Sequence, residues 1–234
     1  MKKLTKTQQL LFLVLIVLCL FFGMFYAYTQ TEGWEPIWMK AAASAIFVCI
    51  GLLSYHFGKT GKCFCILMLI GLFLGCIGDI IIPLGPTWCF VASVGIFALG
   101  HVFYTIAFIY VNGIHKLQIL VFALLSALLV AYILLNPKLE PGGMFGVLVV
   151  YILVISFMAG GALDLLSRRE ENRWASQSCA IGAVLFLISD FLLLNKIFLV
   201  DGPKAFLCYA NLATYYPAQI LLGLSLLDGF EKKK

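Results

Sequence analysis

Apolar residues run along the chain in long blocks, broken by short clusters of turn-forming or charged residues. Eight blocks stand out, at 9–29, 36–57, 63–83, 88–111, 117–135, 144–166, 179–199 and 207–228. Each is close to the ~20 residues a helix needs to cross the hydrocarbon core of a bilayer. The breaks carry turn and helix-stop signals such as Glu35-Pro36, Gly58 to Gly61, Pro83 to Pro86, Asn136-Pro137 and Asp201-Gly202-Pro203. The pattern predicts an all-α polytopic membrane protein, with eight transmembrane helices forming one domain over 1–234. Met1-Lys2-Lys3 before the first block mimics a signal peptide. That block is longer than the usual apolar region and no A-x-A site follows it, so a retained first helix is expected.

Composition narrows the picture further. The chain is 63% hydrophobic and 12% charged, whereas about 25% of residues are charged in a soluble domain. No water-soluble domain fits between the spans. The net charge of +5 comes without a basic stripe to track a phosphate backbone, so no nucleic-acid partner is expected. Lys and Arg instead report topology. One set of loops carries Lys2, Lys3, Lys6, Lys59, Lys62, Lys116, Arg168, Arg169, Arg173 and Lys232 to Lys234. The other carries only Lys138, Lys196 and Lys204. The bias alternates loop by loop and predicts both termini in the cytoplasm. A bacterial inner membrane is the favoured host, with the endoplasmic reticulum as the alternative. Most of the eight Cys lie within apolar runs as small hydrophobes, and Cys63-Phe64-Cys65 alone is a weak metal pattern.

Polar groups within the blocks are the informative ones, because a central Asp or Lys costs about 2.5–3.5 kcal/mol on insertion scales. They are Lys40, Asp79, His101, Asp190 and Asn195, with Tyr104, Asn211, Tyr215 and Gln219 as a weaker set. With odd spans running outward, all fall in the outer half of the membrane or near its midplane. One polar cavity opening toward the outer leaflet is therefore expected. Asp164, near the cytoplasmic end of span six, reads as a solvated helix-end charge. Asn211, Tyr215 and Gln219 follow i, i+4, i+8 and stack on one face of span eight. Gly71, Gly75 and Gly78 thin span three beside Asp79, so that a neighbouring helix can approach. Gly78-Asp79-Ile80-Ile81-Ile82 echoes Ser189-Asp190-Phe191-Leu192-Leu193 four spans later, which suggests a parallel four-plus-four repeat.

Two carboxylates in a low-dielectric pocket do not both ionise comfortably. One can serve as general acid while the other acts as base or charge stabiliser. That suits hydrolysis through an oxocarbenium-like state. A serine nucleophile lacks its G-x-S-x-G elbow, and zinc lacks ligands, since only His101 lies well inside the membrane. Two other readings stay open. Lys40 and Asp79 could serve only as an ion pair tying spans two and three. A proton-coupled transporter or flippase of a lipid-like amphiphile would also place acids at the midplane.

Four stretches together resemble the lysoplasmalogenase (YhhN-like) membrane protein family. They are Gly78-Asp79; Gly100-His101-Val102-Phe103-Tyr104; Phe186-Leu187-Ile188-Ser189-Asp190 running on to Asn195-Lys196; and Thr214-Tyr215-Tyr216-Pro217-Ala218-Gln219. Lys40 also matches, and the resemblance spans about 36–228. Pro217 departs from the family pattern and predicts a kink in span eight. The resemblance implies an eight-helix membrane hydrolase that cleaves the vinyl ether of a lysoplasmalogen to a fatty aldehyde and glycerophosphoethanolamine or glycerophosphocholine. It implies no metal and no organic cofactor. On this reading Asp190, expected as the more desolvated acid, protonates the alkene. Asp79 stabilises the cation and activates water. His101, Tyr215 and Gln219 orient water or the glycerol hydroxyl, and Lys40 is a candidate for the phosphate. Tyr104 and Asn195 complete the substrate-binding set.

Overall fold

The computed structural model describes residues 4–58, 61–169, 172–228 and 230. Lys2, Lys3, Lys59 and Lys232 to Lys234, part of the charge bias above, lie outside them. Helix α1 (Lys6–Thr31) starts from a capping box: Thr5 accepts from the Gln8 amide at 3.3 Å while the Gln8 side chain accepts from the Thr5 amide at 2.9 Å. Helix α2 (Ile37–Phe57) begins after Pro36 and ends at Gly58. Helix α3 (Lys62–Ile81) tightens into a 3-10 turn at Ile82–Leu84. Gly85 then takes φ +96°, a conformation that favours glycine, before Pro86 and α4 (Thr87–Asn112). Gly113, at φ +79°, terminates α4 in the same way. Then follow α5 (Lys116–Leu135), α6 (Phe145–Arg168), α7 (Arg173–Phe198) and α8 (Lys204–Leu224), with a 3-10 turn at Ser225–Asp228.

Every predicted span is a helix. Seven are long and apolar enough to cross a membrane, and the chain is an all-α, multi-pass membrane protein. Helix α8 falls short in hydropathy because Asn211, Tyr215 and Gln219 face the interior and are buried there. Its helix runs on through Pro217 without a break. Helix α7 begins at Arg173 rather than 179. Its first turns carry Ser176 and Ser178, which hid them from hydropathy, yet both are buried as α7 packs against the Ser225–Asp228 turn. Asp164 is corrected outright. It is fully buried, not solvated, with Asn112 Nδ2 at 2.6 Å, His115 Nδ1 at 2.8 Å and Arg168 Nε at 3.1 Å from its carboxylate. The α4–α5 turn folds over the end of α6 and supplies two of those three partners.

The packing repeats with a shift of four helices. In the first half α1 packs on α2, α2 on α3 and α3 on α4; in the second, α5 packs on α6, α6 on α7 and α7 on α8. The halves are joined reciprocally, α2 on α8 and α6 on α4. The reciprocity is incomplete, since among the described residues α3 touches α8 where α7 has no like contact with α4. Helix α1 packs on both α2 and α8, whereas α5 leans on α6 and leaves α4. The α5–α6 loop is fastened to the end of α7. The Val200 amide donates to Lys138 at 2.9 Å and the Glu140 amide donates to Phe198 at 3.1 Å, flanking a bridge between Leu139 and Leu199.

Glycines set how closely α3 meets its neighbours. A Cβ at Gly71 would lie 2.3 Å from the Tyr104 ring, and one at Gly75 would lie 2.5 Å from Gln219 Nε2. Both polar side chains therefore reach the core only because α3 is bare there. Gly71→Leu is expected to cost about 1–3 kcal/mol through overpacking, read as a lowered thermal midpoint in detergent. Gly95→Leu, whose Cβ would meet open space, is expected to leave that midpoint in place.

Candidate active site

Asp79 sits two residues before the end of α3, and helices from both halves of the chain donate to it. From α2, Lys40 Nζ lies 3.2 Å from Oδ1 and Ser44 Oγ donates to Oδ2 at 2.6 Å. From α8, Tyr215 Oη donates to Oδ2 at 2.7 Å. The chain of bonds continues as Gln219 Nε2 donates to Tyr215 Oη at 3.1 Å and Tyr104 Oη donates to Gln219 Oε1 at 2.9 Å. Lys40 is 8% exposed and its ammonium lies 5.8 Å from the Tyr26 ring of α1. Lys40 is the fourth residue of α2, and its ammonium is occupied by the pair with Asp79, the ion pair that the sequence left open. With three donors converging on it, Asp79 is an acceptor in every one of these contacts.

The second carboxylate has different company. Tyr151 Oη, on α6, donates to Asp190 Oδ2 at 2.7 Å. His101 Nε2, on α4, lies 2.9 Å from Tyr151 Oη and 3.4 Å from Asp190 Oδ2. Since the tyrosine hydrogen points to the carboxylate, its oxygen accepts from Nε2–H. That tautomer leaves His101 Nδ1 an acceptor, and Nδ1 is buried without a protein partner. Both contacts fall on Oδ2. Asp190 and Tyr151 stand on the wall of a cavity of about 60 Å³ between α4, α5, α6 and α7, whose other walls are almost wholly apolar.

The structure thus gathers Lys40, Asp79, Tyr215, Gln219 and Tyr104 into one network and His101 and Asp190 into another. The rings of Phe97, Phe186 and Tyr215 pack edge to face between them: Phe186 lies 4.6 Å from His101 and 5.2 Å from Tyr215, and Phe97 lies 6.2 Å from Tyr215. Asp190 was expected to be the more desolvated acid, and this is corrected. The Asp79 side chain is 2% exposed and that of Asp190 is 14% exposed. Two further polar residues stand apart. Asn195 bonds Tyr132 of α5 and the Phe191 carbonyl, and Asn211 donates to Ser189 on α7. Cys63 is exposed and Cys65 buried, so the C-x-C pair does not converge.

Residues 4–226 match the model described as the YhhN family. The chain belongs to the YhhN family. It is 36% identical over 169 residues to the lysoplasmalogenase TMEM86A of Homo sapiens and 32% identical over 168 residues to that of Bos taurus. Each alignment covers 69% of this chain, and the chain spans 65% of the length of these curated relatives. No solved structure matches it.

In this YhhN-family member the sequence concealed Tyr151, Ser44 and Tyr132. A tyrosine or serine inside an apolar helix costs little to bury and carries no charge, so only the face it shares with Asp190 or Asp79 gives it away. The Lys40–Asp79 pair is buried on both sides, and removing one partner leaves an uncompensated charge. Lys40→Met is expected to cost about 3–5 kcal/mol in detergent melting. Lys40→Met combined with Asp79→Asn is expected to recover most of that loss. A double variant no more stable than the single one would show that the two side chains are not coupled.

Proposed function

We propose that this protein is a membrane hydrolase that cleaves the vinyl ether of lysoplasmalogens by carboxylate acid–base chemistry, with Asp190 at the reacting bond. The observation that carries the reading is the Asp190–Tyr151–His101 network on the wall of an otherwise apolar cavity. It occurs in a family whose curated relatives are named lysoplasmalogenases.

The chemistry needs a proton donor held against an alkene. Protonated Asp190 delivers its proton to the β-carbon of the vinyl ether, and the positive charge spreads over the adjacent carbon and the ether oxygen. Water attacks that carbon as the Asp190 carboxylate accepts its proton. The hemiacetal then collapses to a fatty aldehyde and the glycerophospho-head. Tyr151 fixes the Asp190 carboxyl, and His101 fixes Tyr151. Such positioned proton transfer contributes typically 10²–10⁴-fold, about 3–5 kcal/mol. Asp79, with its three donors, takes no part in proton transfer. It is a fixed charge on the far side of the Phe97–Phe186–Tyr215 rings, and Tyr104, Tyr215 and Gln219 hold it there. The Lys and Arg bias supports both termini lying in the cytoplasm, which puts the cavity in the outer half of the membrane.

The test is aldehyde release from lysoplasmenylethanolamine by purified protein. Asp190→Asn is expected to abolish release, and Tyr151→Phe to lower it by about 10²-fold, both with wild-type thermal midpoints. Full activity in Asp190→Asn removes the reading.

A further inference from the structure

The pseudo-repeat makes the two halves comparable and exposes a difference between them. In the first half, the space beside the carboxylate-bearing helix α3 is closed from outside by α1, which packs on both α2 and α8 and covers Lys40 with Tyr26. Helix α5 occupies the corresponding place in the second half. It packs on α6 without closing onto α4, and the cavity beside Asp190 lies there. That cavity is shut at its outer end. Phe90 of α4 and Phe198 of α7, both on its wall, meet edge to face there at 6.3 Å. The seam between α4 and α5 is loosely packed, and α5 is the least buried of the seven apolar spans, at 17% of its most apolar window.

From this asymmetry we infer that the cavity is a binding site for a single hydrocarbon chain, admitted sideways from the outer leaflet between α4 and α5. The inference rests on the hydrolase reading for what happens at Asp190, but not for the chain site itself. The walls decide the ligand class. Val94 and Phe97 from α4, Leu129 and Ile133 from α5, and Leu194 and Phe198 from α7 offer no donors or acceptors, so an apolar tail is the matching ligand. The size decides the number of chains. About 60 Å³ is well below the ~150 Å³ of an engineered cavity that takes up benzene. One chain therefore enters only as α5 moves away from α4, and a second chain has no space beside it. A one-chain lipid held in this slot lies with part of its chain against Asp190 and Tyr151, the polar groups on the wall. A two-chain lipid stops at the seam.

Photolabelling in lipid nanodiscs tests this without catalysis. The probe is a non-hydrolysable alkyl-ether lysophosphatidylethanolamine with a diazirine in its chain, compared with its two-chain analogue. Adducts of the one-chain probe are expected on the α4 and α5 walls, around Val94 and Leu129, and the two-chain analogue is expected to label about tenfold less. Val94→Trp, which fills the slot, is expected to lower labelling about tenfold. If that variant does not fold, the adduct map on the unaltered protein decides alone. Adducts concentrated on α1, α2 or α8, or equal labelling by both probes, overturn the chain site. Adducts in the slot without aldehyde release from lysoplasmalogen keep the site and remove the reaction. Aldehyde release with adducts elsewhere does the reverse.

Discussion

Inside a bilayer a polar group has no water to fall back on, and this bundle is organised by that scarcity. Each charged side chain at depth is met by partners from other helices. Lys40 and Asp79 neutralise one another across α2 and α3, with Ser44 and Tyr215 taking up the remaining carboxylate capacity. Gln219 and Tyr104 then satisfy Tyr215, and glycines at 71 and 75 let them approach. Helix α8 is the least apolar of the eight and occupies the interior for the same reason. Satisfied groups of this kind hold helices in one register but have little left to offer a substrate. Asp190 is the exception, because its partners crowd one oxygen and a cavity meets the other side of the residue.

The two acids therefore divide the work that a single shared pocket would have given them. Asp79 anchors the seam where the halves of the pseudo-repeat meet, and Asp190 faces ligand space in the half that α5 leaves open. The two halves give comparable positions, and α1 closes one while α5 leaves a cavity beside Asp190 in the other. The aromatic rings between the networks let both be polar without merging.

Much of this was legible in the chain. The eight blocks, their breaks and the polar residues inside them identify the helices and both networks' principal members, since a buried charge is conspicuous against apolar sequence. The Gly78-Asp79 and Ser189-Asp190 echo indicated the repeat that the helix contacts display. Other features were hidden for physical reasons. Hydropathy treats Asp164 as a solvated end because it cannot see the α4–α5 turn folding back over α6. The place of Lys40 in the first turn of α2 gave no sign of its burial, to which Tyr26 from α1 contributes. Asp79 lies two residues before the end of its helix and Asp190 eight, yet the deeper-set Asp190 is the less enclosed, because α1 closes its half of the bundle and α5 does not. Tyr151 carries no signal of its own until α6 is placed against α7.

The account is tested most directly by which side of the ether oxygen is cut. With lysoplasmalogen turned over in H₂¹⁸O, protonation of the alkene followed by attack of water on the vinyl carbon predicts a glycerophospho-head that keeps its own oxygen and carries no ¹⁸O. A head released with ¹⁸O in the new hydroxyl would contradict the account, because water would then have attacked the glycerol carbon instead.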